Sequence, residues 1–99
     1  MNMQAMLKQA QAMQRDMLKA KEEIDKTDFT GENGLVKVTM KGSKRIEKVE
    51  IQKEDDFGKD DLEMLEDMIM VAVNDALGQI DKETEEKMGK YTRGLPGLF

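Results

Sequence analysis

The chain has 99 residues, a net charge of −5 and 37% charged residues, against about 25% charge in an ordinary soluble domain, so it holds one domain with a modest core. It contains no Cys and no His, which excludes disulfides and thiolate metal centres and removes the commonest general base and metal ligand. Aromatic residues reach only 4%, Trp is absent, and 10 Met supply much of the apolar volume. Met packs adaptably but specifies geometry poorly, and a small core with long apolar stripes completes its burial against a partner. An oligomer is therefore expected. No run approaches the roughly 18 apolar residues of a membrane span, and the opening segment lacks a signal-peptide apolar run, so the expected location is the cytoplasm with no membrane partner.

Residues 2–26 read as one long helix. Met3, Met6, Ala10, Met13, Met17, Ala20 and Ile24 recur at alternating steps of three and four, a heptad stripe that calls for a packing partner. Neither Pro nor Gly interrupts it. Residues 27–52 change to period two. Asn33-Gly34 is a strong hairpin signal, preceded by the strand-forming Thr27-Asp28-Phe29-Thr30. Val36, Val38 and Met40 then alternate with Lys37, Thr39 and Lys41. After a second turn at Gly42-Ser43, Glu47, Val49 and Ile51 alternate with Ile46, Lys48 and Glu50. This predicts a three-stranded antiparallel meander with Val36, Val38, Val49 and Ile51 on its packed face. Gly31, Gly34 and Gly42 are expected in its turns.

Asp60 is the expected N-cap of a second helix, with Glu63 completing a capping box. Leu62, Leu65, Met68, Ile69, Ala72, Val73, Ala76, Leu77 and Ile80 form a broad apolar face on residues 61–90, and Leu65, Ile69 and Val73 should lie on the sheet. Beyond Ile80 the pattern turns polar, so the helix is expected to project or fray, with Gly89 as its stop. Residues 94–99, Gly-Leu-Pro-Gly-Leu-Phe, cannot be helical and read as a flexible tail after a single domain at 1–93.

No constellation supports catalysis, and no cofactor or metal is expected. Ser43 reads as a turn residue, the glycines do not form a phosphate loop, and the spacing of Asp55, Asp56, Asp60 and Asp61 does not match a calcium loop. The negative charge is concentrated in residues 54–67. Positive residues gather in the meander (Lys37, Lys41, Lys44, Arg45, Lys48), along the first helix and near the end of the second. They are either ordinary solubilising surface or a weak phosphate-binding surface doubled by dimer symmetry. The residues alone describe a dimeric helical binding module without fixing its ligand.

The opening Met6-Leu7-Lys8-Gln9-Ala10-Gln11-Ala12-Met13-Gln14, the strand Gly34-Leu35-Val36-Lys37-Val38-Thr39-Met40-Lys41-Gly42 and the segment Val73-Asn74-Asp75-Ala76-Leu77 closely resemble the YbaB/EbfC family of nucleoid-associated proteins. Glu85-Glu86-Lys87-Met88-Gly89-Lys90 and Gly94-Leu95-Pro96-Gly97-Leu98 look like that family's C-terminal pattern. The resemblance implies an α+β fold: a long N-terminal helix, a three-stranded antiparallel meander and a long C-terminal helix, joined into a tweezers-like homodimer. It also implies binding to bacterial chromosomal double-stranded DNA, with little sequence specificity and no catalytic residues. Effects on nucleoid organisation, gene expression or DNA repair would follow. By position, the resemblance points to Lys8, Arg15 and Lys19 on the first helix and to Lys87, Lys90 and Arg93 near the other helical end as DNA contacts. The competing expectation is a protein–protein adaptor for recombination or replication proteins, without direct DNA binding, motivated by the Met stripe and the acidic surface.

Overall fold

A computed structural model describes residues 2–92 of the chain. The first helix, α1, spans Met3–Lys26. Asn2 caps it: its Oδ1 accepts the Gln4 N–H at 3.0 Å, satisfying one of the donors that a helix start leaves unpaired. At the other end Thr27 turns extended and its hydroxyl donates to the Glu23 carbonyl at 2.7 Å, closing α1 where β-forming residues take over.

Three strands follow, β1 (Asp28–Asn33), β2 (Val36–Lys41) and β3 (Ile46–Ile51), paired antiparallel in the order β1-β2-β3. The predicted meander is therefore present, with three local differences. Asn33 pairs with Val36 inside the ladder, so the first turn is Gly34-Leu35 rather than Asn33-Gly34. In this turn Gly34 takes a positive φ, +54°, the requirement of a hairpin turn with glycine at its first central position. Gly31 is not a turn residue: it sits in β1, buried. In β3 the alternation breaks at a bulge. Met40 pairs with Ile46 and Thr39 with Lys48, leaving Glu47 without an opposite residue. The extra residue turns Ile46 onto the same face as Val49 and Ile51, whereas strict alternation had set Ile46 opposite them.

A single 3₁₀ turn, Lys59–Asp61, leads into the second helix, α2, at Leu62–Thr92. The cap is not Asp60 with Glu63. The Asp61 carboxylate accepts the Gly58 N–H at 2.8 Å, because the 3₁₀ turn sets the start one residue later. α2 then runs unbroken through Gly78 and Gly89.

The first half of α2 lies diagonally on β1 and β2. Val36, Val38 and Ala72 form one buried cluster and Met40, Ala76 and Ile80 the next. Leu65, Ile69 and Val73 pack half-buried around them. Fully burying a side chain of the Val or Met size stabilises by about 1.5–3 kcal/mol, and the small Ala72 and Ala76 let the helix backbone come down onto β1. A Cβ on Gly31 would fall on the Ala72 carbonyl oxygen. Polar bonds fix the β1 flank of this crossing: the Asp75 carboxylate accepts the Glu32 N–H at 3.2 Å, and the Gln79 amide donates to the Thr30 carbonyl at 2.8 Å.

Beyond Ile80, α2 leaves the sheet but does not fray. Met88 and Tyr91 are buried against Ile24, with Met17 and Ala20 beside them, so the last third of α2 and the end of α1 form an antiparallel pair. The outer half of α1 has no such support. Met3, Met6 and Met13, placed in the packing stripe by their spacing, are 75%, 50% and 43% exposed, and Ala10 is exposed as well. The molecule measures 71 × 20 × 14 Å with a radius of gyration of 19.6 Å, where a compact chain of this length would have about 13 Å. Its shape fits one limb of a tweezers.

Candidate nucleic-acid interface

The sheet's outer face bears many of the positive charges, but the fold cancels them. Cross-strand register places Lys37 between Glu32 and Glu50, and Lys41 opposite Asp28. The Lys41 ammonium reaches the Asp28 carboxylate at 2.6 Å and Lys48 reaches Glu50 at 2.8 Å. The hydrogen bond from Lys48 holds the Glu50 carboxyl below its usual range, and hydrogen bonds to Asp28 and Glu50 raise Lys41 and Lys48. Lys44, in the left-handed conformation of the second turn (φ 70°), lies 3.4 Å from Asp81 on α2. These lysines are committed within the molecule. Three of the five cations of the meander's basic cluster are thus ion-paired within the molecule.

On α1 the arrangement differs. Lys8, Arg15 and Lys19 are separated by seven and four residues, which puts them on one helical face at intervals of about 10 and 6 Å. The Met stripe occupies the opposite face. All three are exposed, and none makes an ion pair with another described residue. Lower on the same helix, by contrast, Lys21 pairs with Asp25 and Lys26 with Glu22.

Two of the cations expected at the end of α2 have partners of their own. Lys87 lies 2.9 Å from Glu83, and that hydrogen bond, with the charges of Glu83 and Glu23, raises its pKa. The Lys90 ammonium is 5.1 Å from the centre of the Tyr91 ring, covering the aromatic edge of the α1–α2 pair. Arg93 lies outside the described residues, as does the segment 94–99.

Charge is segregated along the long axis. Three cations against Asp16 give residues 2–20 a charge of +2, eight acids against Lys59 give residues 54–67 a charge of −7, and the remaining residues cancel. Met68 of α2 packs beside Gly34 at the far end of the sheet, while the α1 end of the sheet is marked by Gly42 against Ile24. The acidic segment that starts α2 therefore stands at the opposite end from the projecting half of α1. Among the described residues no group of three or more acids is placed to hold a metal ion, and no helix is long and apolar enough to cross a membrane.

An apolar surface that the period-two pattern did not reveal lies beside β3. α2 contacts β1 and β2 but not β3. Ile46, Val49 and Ile51, on the helix-facing side of the sheet, are thus left 47%, 46% and 49% exposed. Val49 and Ile51, expected in the core or at a dimer seam, are not covered within the single chain, because α2 lies over β1 and β2. The helical repeat puts Met70 and Leu77 on the flank of α2 opposite those two residues, next to β3. Met70 is exposed and Leu77 half-buried. Strand edge and helix flank together make an apolar trough along one side of the molecule.

A sequence model of the YbaB/EbfC DNA-binding family matches residues 1–95. A nucleoid-associated protein of Enterococcus faecalis is 48% identical over 99 residues, covering 98% of this chain and 94% of that protein. One from Lactococcus lactis is 48% identical over 98 residues, covering 97% and 98%. Among solved structures, the crystal structure of an uncharacterized protein from Helicobacter pylori superposes with a TM-score of 0.74 at 18% identity, covering 92% of this chain and 97% of that one. That likeness concerns the fold.

Proposed function

Since the chain belongs to the YbaB/EbfC DNA-binding family, we propose that it binds bacterial double-stranded DNA as a homodimer, through the basic faces of two projecting α1 helices. One observation carries this reading: Lys8, Arg15 and Lys19 form a row of cations with no ion pair to another described residue, running from the projecting half of α1 down to where α2 packs on it. Most of the other lysines in the fold are matched to a carboxylate. Phosphate contacts of this kind position a protein without reading bases, so binding has little sequence specificity. The protein is non-catalytic, resides in the cytoplasm on the nucleoid, and acts on gene expression and repair through nucleoid organisation.

The trough beside β3 supports the homodimer. A sheet edge with unpaired backbone groups and a row of exposed apolar side chains is a template for another chain, and a two-fold axis there would put the same patch on both partners. The two α1 helices would then project as paired arms.

The test is fluorescence anisotropy on a random-sequence duplex across a salt series. Two arms supply about six phosphate contacts, so the slope of log affinity against log salt should be about −5, and affinity should fall roughly 10³-fold between 50 and 200 mM salt. Replacing Lys8, Arg15 and Lys19 together by Ala leaves good helix formers in place and should flatten the slope towards zero. Wild-type binding by the triple variant would remove α1 from the mechanism. Absence of DNA binding at low salt would favour the adaptor reading, for which the exposed Met face is the motive.

A further inference from the structure

The apolar stripe of α1 is longer than its cover. Ile24, Ala20 and Met17 pack on Met88 and Tyr91, and the same helical face continues through Met13, Ala10, Met6 and Met3, all exposed. Leu7, on the flank of that face, is 58% exposed. From Met3 to Met13 the exposed stretch is about 15 Å long. Along it two large side chains are followed by a small one and then a large one, at steps of three, four and three.

We propose that this stretch seats the same stretch of a second copy, the two α1 helices lying antiparallel with their two-fold axis at the level of Lys8. Reversing the helix about that level brings Met3 against the partner's Met13 and Met6 against the partner's Ala10. Each Met6 then fills the space over a methyl group, whereas a parallel pair would stack Ala10 on the partner's Ala10 and leave a gap, which costs stability. The charges fit the same arrangement. Lys8 and Arg15 lie on the face opposite the stripe, so pairing sets no cation against another. The flanking positions are Leu7, Gln9, Gln14 and Asp16. Leu7 meets the partner's Leu7, and Asp16 comes beside the start of the partner's helix, where a negative charge is favoured. The patch is small beside the roughly 800 Å² per partner of a stable interface, so a single pair is weak and forms at high local concentration. In a homodimer two arms would engage two arms of the next, which multiplies the effect, and the basic rows would stay outward.

This inference rests neither on DNA binding nor on a seam at β3, and its tests use no DNA. The chain has no Cys, and Met3 and Met13 are exposed, so a Cys at either position leaves the folded core intact. Full-length Met3→Cys and Met13→Cys proteins are oxidised mildly at high concentration, each alone and as an equal mixture. A disulfide needs Cα atoms within about 7 Å, and in the antiparallel pair like positions stand about 15 Å apart. Mixed disulfides should therefore form several-fold faster than self-disulfides. Self-disulfides forming as fast as mixed ones would mean another register, and no disulfide would mean that no second copy sits on the stripe; either result overturns the proposal. The mixed disulfide should also form in the Val49→Lys background, and its loss there would overturn an independent α1 contact. Sedimentation at high protein concentration needs no cross-link. Met6→Lys with Met13→Lys should remove the largest species and leave the species present at low concentration unchanged. An unaltered distribution would overturn the proposal as well.

Discussion

Two glycines mark opposite extremes of what a single residue does in this fold. A Cβ on Gly31 would meet the Ala72 carbonyl oxygen and the Ala76 backbone nitrogen, which belong to a helix that cannot step aside without uncovering the core. Gly31→Ala should therefore destabilise by more than about 2 kcal/mol, as overpacking of a close contact does. Gly78 has nothing within 4 Å of where its Cβ would be, and it sits in mid-helix. Gly78→Ala should stabilise by about 0.5–1 kcal/mol. Urea unfolding of the two variants measures both shifts, and shifts of the same sign would contradict the crossing geometry. The sequence made Asn33-Gly34 legible as a hairpin, yet missed the one-residue offset and the burial of Gly31. Both are set by where α2 crosses the strands, a contact between residues far apart in the chain. Acid titration is a residue-scale matter too. Glu50 has its pKa held down by Lys48, so its contribution is present above the ordinary carboxylate pKa and is lost as pH falls through the lower, folded value. Glu50→Gln should flatten the acid limb of the stability curve by a small amount, because the pair is exposed. Equal acid limbs in the variant and the parent would show that the pair contributes nothing.

At the scale of elements, period and composition were sufficient for both helices and for the existence of three strands. They were insufficient wherever one element's fate depends on another's position. β3 reads as a half-buried strand, and its apolar residues do face the helix side, but the helix is bound to the β1 flank through Asp75 and Gln79. The polar run after Ile80 reads as a fraying end, whereas Met88 and Tyr91 find α1. The stripe on α1 reads as a continuous seam, but only its last three members have a described neighbour. The exposure of β3 leads to a prediction. Val49→Lys alters a side chain that is 46% exposed, so the stability of the single chain should change by no more than about 0.5 kcal/mol. In sedimentation it should shift the protein from dimer to monomer. A dimer that survives this substitution would place the two-fold axis elsewhere.

At the scale of the whole molecule, the net charge of −5 is a poor guide to behaviour. The molecule is an electrical dipole, basic at the projecting end and acidic at the start of α2, so in the proposed function DNA would meet it at the α1 end. The sequence showed the acidic concentration and the three α1 cations. It could not show that Lys41, Lys44 and Lys48 of the meander each pair with a carboxylate, on the neighbouring strand, on α2 and on the same strand, which sets them apart from the unpaired Lys8, Arg15 and Lys19. Neutralising the acidic end with Asp60→Asn, Asp61→Asn and Glu63→Gln should raise the association rate with DNA several-fold at low salt. The effect should vanish near 1 M salt, where the screening length is about 3 Å. An equal gain at all salt concentrations would show that the acidic end acts by contact and not by its field.

α2 belongs to both ends of this molecule, since its first half is bedded on the sheet and its last third clamps the arm. A 31-residue helix is a lever about 46 Å long, and a tilt of about 5° at its bedded end carries the far end through about 4 Å. The fulcrum is the tight crossing of Ala72 and Ala76 over Gly31. In the proposed dimer the gap between the two arms would therefore be gauged by two alanines and a glycine that sit where the helix crosses the sheet.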